Sequence, residues 1–220
     1  MKVLFIGNSY TYYNDMPKMV GGLMRENGID GEVFSVTRGA RKLFQNVDDQ
    51  DEATGELDAL MASVDAFDAM ILQEQSLLPL LDAEKFRYGV TALIQKLGAQ
   101  AKRVILYATW GRKSGSPQLE TCGWSSAEMT EGLARAYREL GESLGVEVSY
   151  VGLAFARLYP SCESVELYSP DCSHSSVTGS ALAALVHYQK LMGKLPEKTD
   201  SLGLNQDTVA KLLEAATAVK

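Results

Sequence analysis

Hydrophobic residues in this chain come in two textures that alternate along its length. Short apolar runs rich in β-branched residues occupy residues 3–6, 32–37, 69–73, 103–109 and 147–151, and each reads as a strand. Between most of them lie longer stretches in which apolar residues return every three or four positions, the spacing that gives a helix one buried face. Helix stop and start signals fall where this reading needs them. Asn14 or Asp15 caps a segment with Pro17 in its first turn and Gly28 beyond its end, and Asp82 opens a run that stops near Gly98. Ser125 and Glu128 form a capping box ahead of Leu133, Ala134, Tyr137 and Leu140, with Gly145 at the far end. Residues 205–220 read as a terminal helix.

A strand–helix alternation with short connections predicts an α/β fold. It is a doubly wound, five-stranded parallel sheet in three α/β/α layers, because right-handed crossovers carry the helices onto both faces. Residues 1–220 are expected to form a single domain, with no linker-like stretch, repeat or low-complexity tract. In such a sheet the carboxyl ends of the strands share one edge, where residues distant in sequence can meet. The turns after the first, second and third strands carry Ser9, Gly39 and Gln75. A longer connection after the fifth carries Asp171 and His174.

Charge narrows the partners. With 21 Lys and Arg against 28 Asp and Glu, the net charge of −7 repels phosphate backbones and anionic membrane surfaces, so nucleic acid is not an expected partner. The first apolar run is too short for a membrane span or a signal-peptide core. Cys122, Cys162 and Cys172 are too few and odd in number for a disulfide framework. The chain therefore reads as cytoplasmic, a reading that a removed leader would leave unchanged. Their spacing with His174 matches no zinc pattern, and neither a metal nor another cofactor is assigned. The acidic stretch Asp48, Asp49, Asp51 and Glu52 reads as a solvated loop complementing the start of the next helix, and His187 as an ordinary helix residue.

Only two histidines are present, so a general base has few candidates. Taken singly, Ser9 is a helix cap or a phosphate-type turn, His174 a surface histidine, Asp171 a turn former and Gly39 a turn glycine. Taken together, a serine after the first strand and an Asp-x-x-His segment near the chain's end supply the parts for acyl transfer through a serine ester. Ile-Gly-Asn-Ser-Tyr-Thr at 6–11 and Asp-Cys-Ser-His at 171–174 resemble the first and last blocks of the SGNH/GDSL hydrolases. Leu-Gln-Glu-Gln-Ser at 72–76 is similar to a bacterial branch of that family. The resemblance implies a flavodoxin-like fold, Ser9 as nucleophile, His174 as general base and Asp171 orienting the imidazole. It implies an oxyanion hole from the amides of Ser9 and Gly39 and from Gln75, with Gln73 as the competing donor. Asn8 stands where the family most often has Asp, and Gln75 where it has Asn.

The expected activity is hydrolysis of carboxylic esters, with an acetylated carbohydrate or another small acetyl ester favoured. Tyr10, Tyr12, Tyr13 and Trp110 lie where they could line a pocket or pack beneath loops. The run Leu77, Leu78, Pro79, Leu80, Leu81 could wall that pocket, form a lid or bury against a second copy of the chain, so homo-oligomerisation stays open. Two other readings compete. One is a flavodoxin-like module whose first turn cradles a phosphate or flavin. The other is a catalytically silent SGNH domain that binds a glycan.

Overall fold

The computed structural model of the protein describes residues 1–219. Five parallel strands, β1 Lys2–Gly7, β2 Glu32–Thr37, β3 Ala69–Leu72, β4 Val104–Tyr107 and β5 Glu147–Ser149, hydrogen-bond in the order β2-β1-β3-β4-β5. The order reverses between β1 and β3, which opens a crevice at their carboxyl ends. Register runs from Lys2 opposite Glu32 to Gly7 opposite Thr37, and from Val3 opposite Ala69 to Ile6 opposite Leu72.

Seven longer helices cover the sheet: α1 Met16–Glu26, α2 Glu52–Ser63, α3 Ala83–Leu97, α4 Ser126–Leu144, α5 Val151–Leu158, α6 Val177–Met192 and α7 Gln206–Thr217. Alternate strand residues point to opposite faces, and each face has its own core. Val3, Phe5, Ile71 and Tyr107 pack with Leu23, Phe155 and Leu182 from α1, α5 and α6. Leu4, Ile6, Met70 and Leu106 pack with Leu57, Leu93 and Leu133 from α2, α3 and α4. Each fully buried side chain of this size contributes about 1.5–3 kcal/mol. Both faces of the sheet are thus covered, which is why the inner strands β1, β3 and β4 read as near-continuous apolar runs.

The expected strands and helices are present, with shifted ends. The third strand stops at Leu72 rather than residue 73, the fourth spans Val104–Tyr107, and the fifth stops at Ser149. Val151 continues the apolar run but opens α5, because Gly152 donates its N–H to Ala108 O and turns the chain out of the ladder. The capping box of Ser125 and Glu128 is formed. Asp15 precedes α1 in a left-handed conformation, φ 55°, and its side chain makes no cap hydrogen bond. The terminal helix ends at Thr217, and Lys220 lies outside the described residues.

The acidic stretch is more built than a solvated loop. Asp51 caps α2 through the Thr54 N–H and forms a two-pronged ion pair with Arg41 at 2.6 and 3.0 Å. That hydrogen-bonded guanidinium holds the Asp51 carboxyl well below the usual carboxylate range. Arg41 also donates to Asn46, Gln45 O and Thr54, which organises the loop after β2. His187 is fully buried in the interior, edge-on to Phe5 and Tyr107, with Nδ1 on Ser149 Oγ. Burial pushes its pKa down to about 3. Among the described residues no helix is long and apolar enough to cross a membrane.

Candidate active site

Ser9 sits on the sharp turn that leaves β1. Asn8 is extended there and buried, its side-chain oxygen accepts from Tyr10 N, and its Nδ2 donates to Arg41 O at 2.9 Å. One asparagine therefore shapes the serine turn and joins it to the loop after β2, a bond that an ionised aspartate could not donate. Gln73 Oε1 accepts from Asn8 N and Thr11 Oγ1, which fixes the same turn from beneath. Gly7 permits this approach, since a Cβ there would lie 2.7 Å from that oxygen.

The segment holding Asp171 and His174 is a closed loop ahead of α6. Tyr168 and Ser175 form an antiparallel bridge across its neck, Ser169 donates to His174 O, and Cys172 takes a left-handed φ of 60°. Two ties bind it to the serine segment. Asn14 Nδ2 donates to Ser175 O and Ser180 Oγ, and the Tyr10 hydroxyl meets Ser173 Oγ at 2.9 Å.

The consequence is a linked set of three side chains. Ser9 Oγ lies 2.8 Å from His174 Nε2, and His174 Nδ1 lies 2.5 Å from Asp171 Oδ2. The other carboxylate oxygen accepts from the backbone N–H groups of Ser173 and His174, both at 2.9 Å. Partial burial disfavours the ionised Asp171, but the imidazole and these two N–H groups outweigh it and hold the carboxyl below its ordinary value. An ionised carboxylate can only accept, so Nδ1 carries the ring proton and Nε2 is left to accept from the Ser9 hydroxyl. An arrangement of this kind can move a hydroxyl proton onto imidazole.

A cavity of about 170 Å³ opens beside Ser9 and His174, lined also by Asn8, Tyr10, Ala40, Gln75, Ser76, Arg112 and Ser173. Gln75 Oε1 accepts from the N–H groups of Leu77 and Leu78, each at 3.0 Å, while its Nε2 has no protein acceptor among the described residues. Gln73 differs: it is fully buried, bonded at both ends of its amide (Nε2 to Glu74 O), and does not line the cavity. The backbone N–H groups of Ser9, Gly39 and Ala40 likewise have no protein acceptor among the described residues. Gly39 is exposed, and the wall at that point is its neighbour Ala40, with φ 57°.

Of the aromatic candidates, Tyr10 lines the cavity. Trp110 does not: it is fully buried, stacked between Tyr10 and Phe155, and its indole N–H holds Ser173 O at 3.0 Å. Tyr12 lies half-exposed beside Tyr13. Leu77 packs against the core and Leu78 is buried; neither lines the cavity, and both touch the site through backbone N–H groups on Gln75 Oε1. Tyr13, expected with its neighbours to line a pocket or pack beneath loops, instead stacks its ring on His174 at 4.1 Å with planes 9° apart. Arg112, Ser76 and Ser173 line the cavity without having been expected there. No sequence signal says which way a long arginine in the loop after β4 will reach.

Beneath the site lies Glu74, fully buried, accepting from Leu43 N and Gln75 N. Burial raises its pKa to about 7 against the opposing effect of those two N–H groups. A larger cavity of about 480 Å³ lies at the other end of the strands, lined by Arg103, Glu147 and Gln189 among others, and contains none of the expected site residues. All three cysteines are free, and among the described residues no group of three or more His, Cys, Asp or Glu is disposed to hold a metal ion.

No family model matches the chain, and no curated protein matches it. Solved structures do. A DUF4886 family protein from Bacteroides uniformis superposes with a TM-score of 0.83 at 16% identity, covering 99% of this chain and 93% of its own. A single-substitution variant of an acetyl xylan esterase from Geobacillus stearothermophilus gives 0.65 at 14% identity over 90% of this chain and 97% of its own. These two likenesses show the fold. A protein from Slackia heliotrinireducens described as a candidate SGNH hydrolase gives a TM-score of 0.73 at 28% identity, covering 88% of this chain and 99% of its own. That likeness, in sequence as well as fold, supports an SGNH/GDSL-like serine hydrolase of the carboxylic-ester type.

Proposed function

We propose that the protein hydrolyses small carboxylic esters, acetyl esters of carbohydrates foremost, through an acyl-enzyme on Ser9. The observation that carries this reading is the hydrogen-bonded run from Ser9 Oγ to His174 Nε2 and from Nδ1 to Asp171, at 2.8 and 2.5 Å, beside a cavity of about 170 Å³. At roughly 30 Å³ for each water-sized group, that space suits a short acyl chain. The structural likeness to acetyl xylan esterases supports the same substrate class.

In this mechanism Ser9 Oγ attacks the ester carbonyl as its proton passes to His174 Nε2, and Asp171 stabilises the imidazolium through Nδ1–H. The carbonyl oxygen becomes an oxyanion that accepts from the Ser9 and Gly39 N–H groups and from Gln75 Nε2. His174 returns the proton to the leaving alcohol. It then removes one from water, which attacks the acyl carbon, and passes it to Ser9 Oγ as the Ser9–acyl bond breaks and the acid leaves. Nothing in the competing phosphate or flavin reading uses the His174–Asp171 pair.

The test is turnover. Purified protein is expected to release nitrophenol from 4-nitrophenyl acetate faster than from the octanoate, and to release acetate from acetylated xylo-oligosaccharides. A well-folded sample that hydrolyses none of these esters contradicts the proposal.

A further inference from the structure

Arginines in this protein that reach inward meet carboxylates. Arg41 pairs with Asp51 and Arg103 with Glu147, each through two nitrogens. Arg112, in the loop after β4, is the exception. It is half-buried, lines the cavity beside Ser9 and His174, and bonds only neutral oxygens: Ser173 Oγ at 2.7 Å, Gln118 Oε1 at 3.2 Å and Ser76 Oγ at 3.3 Å. Its Nε is buried with no partner among the described residues. Among the described residues two of the five guanidinium N–H donors are thus unused, and the charge has no counter-ion in contact.

The rest of the lining sharpens the point. In a chain of net charge −7, no acidic side chain among the described residues lines this cavity. Asp171 engages His174, and Glu74 is turned onto the Leu43 and Gln75 N–H groups. Around Arg112 stand the hydroxyls of Ser76 and Ser173, with the Tyr10 hydroxyl bonded to the latter. A fixed cation flanked by hydroxyls, in a cavity without a negative lining, is complementary to a compact oxyanion. A planar fork favours the two-oxygen geometry of a carboxylate.

Resting on the esterase reading, we infer that Arg112, with Ser76 and Ser173, forms a carboxylate subsite, so that the preferred esters bear a carboxylate close to the scissile bond. The serines release part of their hold on the guanidinium and donate to the incoming anion alongside it. The carboxylate can belong to the acyl part, as in a dicarboxylic half-ester, or to the alcohol part, as in an acetylated hydroxy acid or uronic acid.

Two matched pairs separate these sources. Mono-4-nitrophenyl succinate is compared with its methyl ester for the acyl side, and 3-acetoxybenzoate with 3-acetoxybenzamide for the alcohol side. In the wild type the charged member of at least one pair is expected to have the higher kcat/KM by at least about tenfold, and the responding pair identifies the side. Arg112→Gln should reduce that charged-to-neutral ratio by about tenfold or more, and Arg112→Lys, which keeps charge without the fork, by less. The ratio is the readout because Arg112 also braces Ser173, and a purely structural role would move both members of a pair together. Hydrolysis of the neutral esters with no charged preference in either pair, or a ratio unchanged in Arg112→Gln, overturns the subsite and leaves the esterase reading standing. Absence of turnover on all four esters overturns both.

Discussion

The side-chain carbonyl of Gln75 accepts the backbone N–H of Leu78 at 3.0 Å, and this bond decides what the rest of the glutamine can do. With Leu77 N on the same oxygen, the amide is pinned and its Nε2 is left as a donor beside the Ser9 cavity. Removing one oxyanion donor typically costs about 10²–10³ in kcat. Gln75→Ala is therefore expected to lower kcat by that order with a much smaller change in KM, measured by steady-state kinetics on 4-nitrophenyl acetate. Gln75→Glu keeps the acceptor for Leu77 and Leu78 but replaces the donor with negative charge, and should be at least as impaired. Unchanged kcat in both variants removes Gln75 from the proposed role.

Asn8 links two loops through atoms of opposite sense: its oxygen accepts from Tyr10 N and its nitrogen donates to Arg41 O. Asn8→Asp, although it restores the residue most common in the resembled family, places a buried carboxylate against a carbonyl oxygen. A loss of about 1–3 kcal/mol in unfolding free energy is expected, larger at pH 8 than at pH 5, where the new carboxyl can protonate. Denaturant titrations of the two proteins at both pH values measure it. Equal stability would show that the link to Arg41 contributes little.

Tyr13 lies face to face with His174. An imidazolium forming under an aromatic face gains about 0.5–2 kcal/mol, so Tyr13→Leu should lower kcat by roughly 2- to 30-fold while Tyr13→Phe stays near wild type. If the Phe and Leu variants are slowed equally, the stacked ring is not what matters.

Glu74 gives a pH signature. Burial raises its pKa from an ordinary 4.5 to about 7, so the folded state binds a proton that the unfolded state has already released across that interval. Its stabilising contribution is complete below about pH 4.5 and is lost as pH rises through about 7. The loss amounts to about 3 kcal/mol if the whole shift is expressed. Glu74→Gln retains an acceptor for Leu43 and Gln75 and does not titrate. Its thermal stability relative to wild type should improve from pH 4.5 to 7.5 and stay constant above that. A gap independent of pH would refute the shifted ionisation.

Much of this was legible in the sequence for local reasons. Strand runs, the Ser125–Glu128 box and the Asp-x-x-His segment are short-range signals, and parallel α/β topology then leaves few places for Ser9 and His174 other than one sheet edge. What the sequence left open depended on side-chain direction. Gln73 and Gln75 lie two residues apart at the end of β3, and only the turn onto Leu77 and Leu78 distinguishes the buried brace from the cavity donor. Trp110 and Tyr13 are aromatics in neighbouring loops, yet one is sealed between Tyr10 and Phe155 and the other covers the imidazole. Arg112 carries no pattern at all until its neighbours are seen.

The direct test of the central claim is covalent labelling by a fluorophosphonate, read by intact-mass and peptide mass spectrometry. With Ser9 Oγ 2.8 Å from His174 Nε2, wild-type protein should gain one adduct, on Ser9. Ser9→Ala should gain none, and His174→Ala should react at least about a hundredfold more slowly for want of its base. An adduct elsewhere, or labelling of Ser9 at the same rate without His174, would contradict the account.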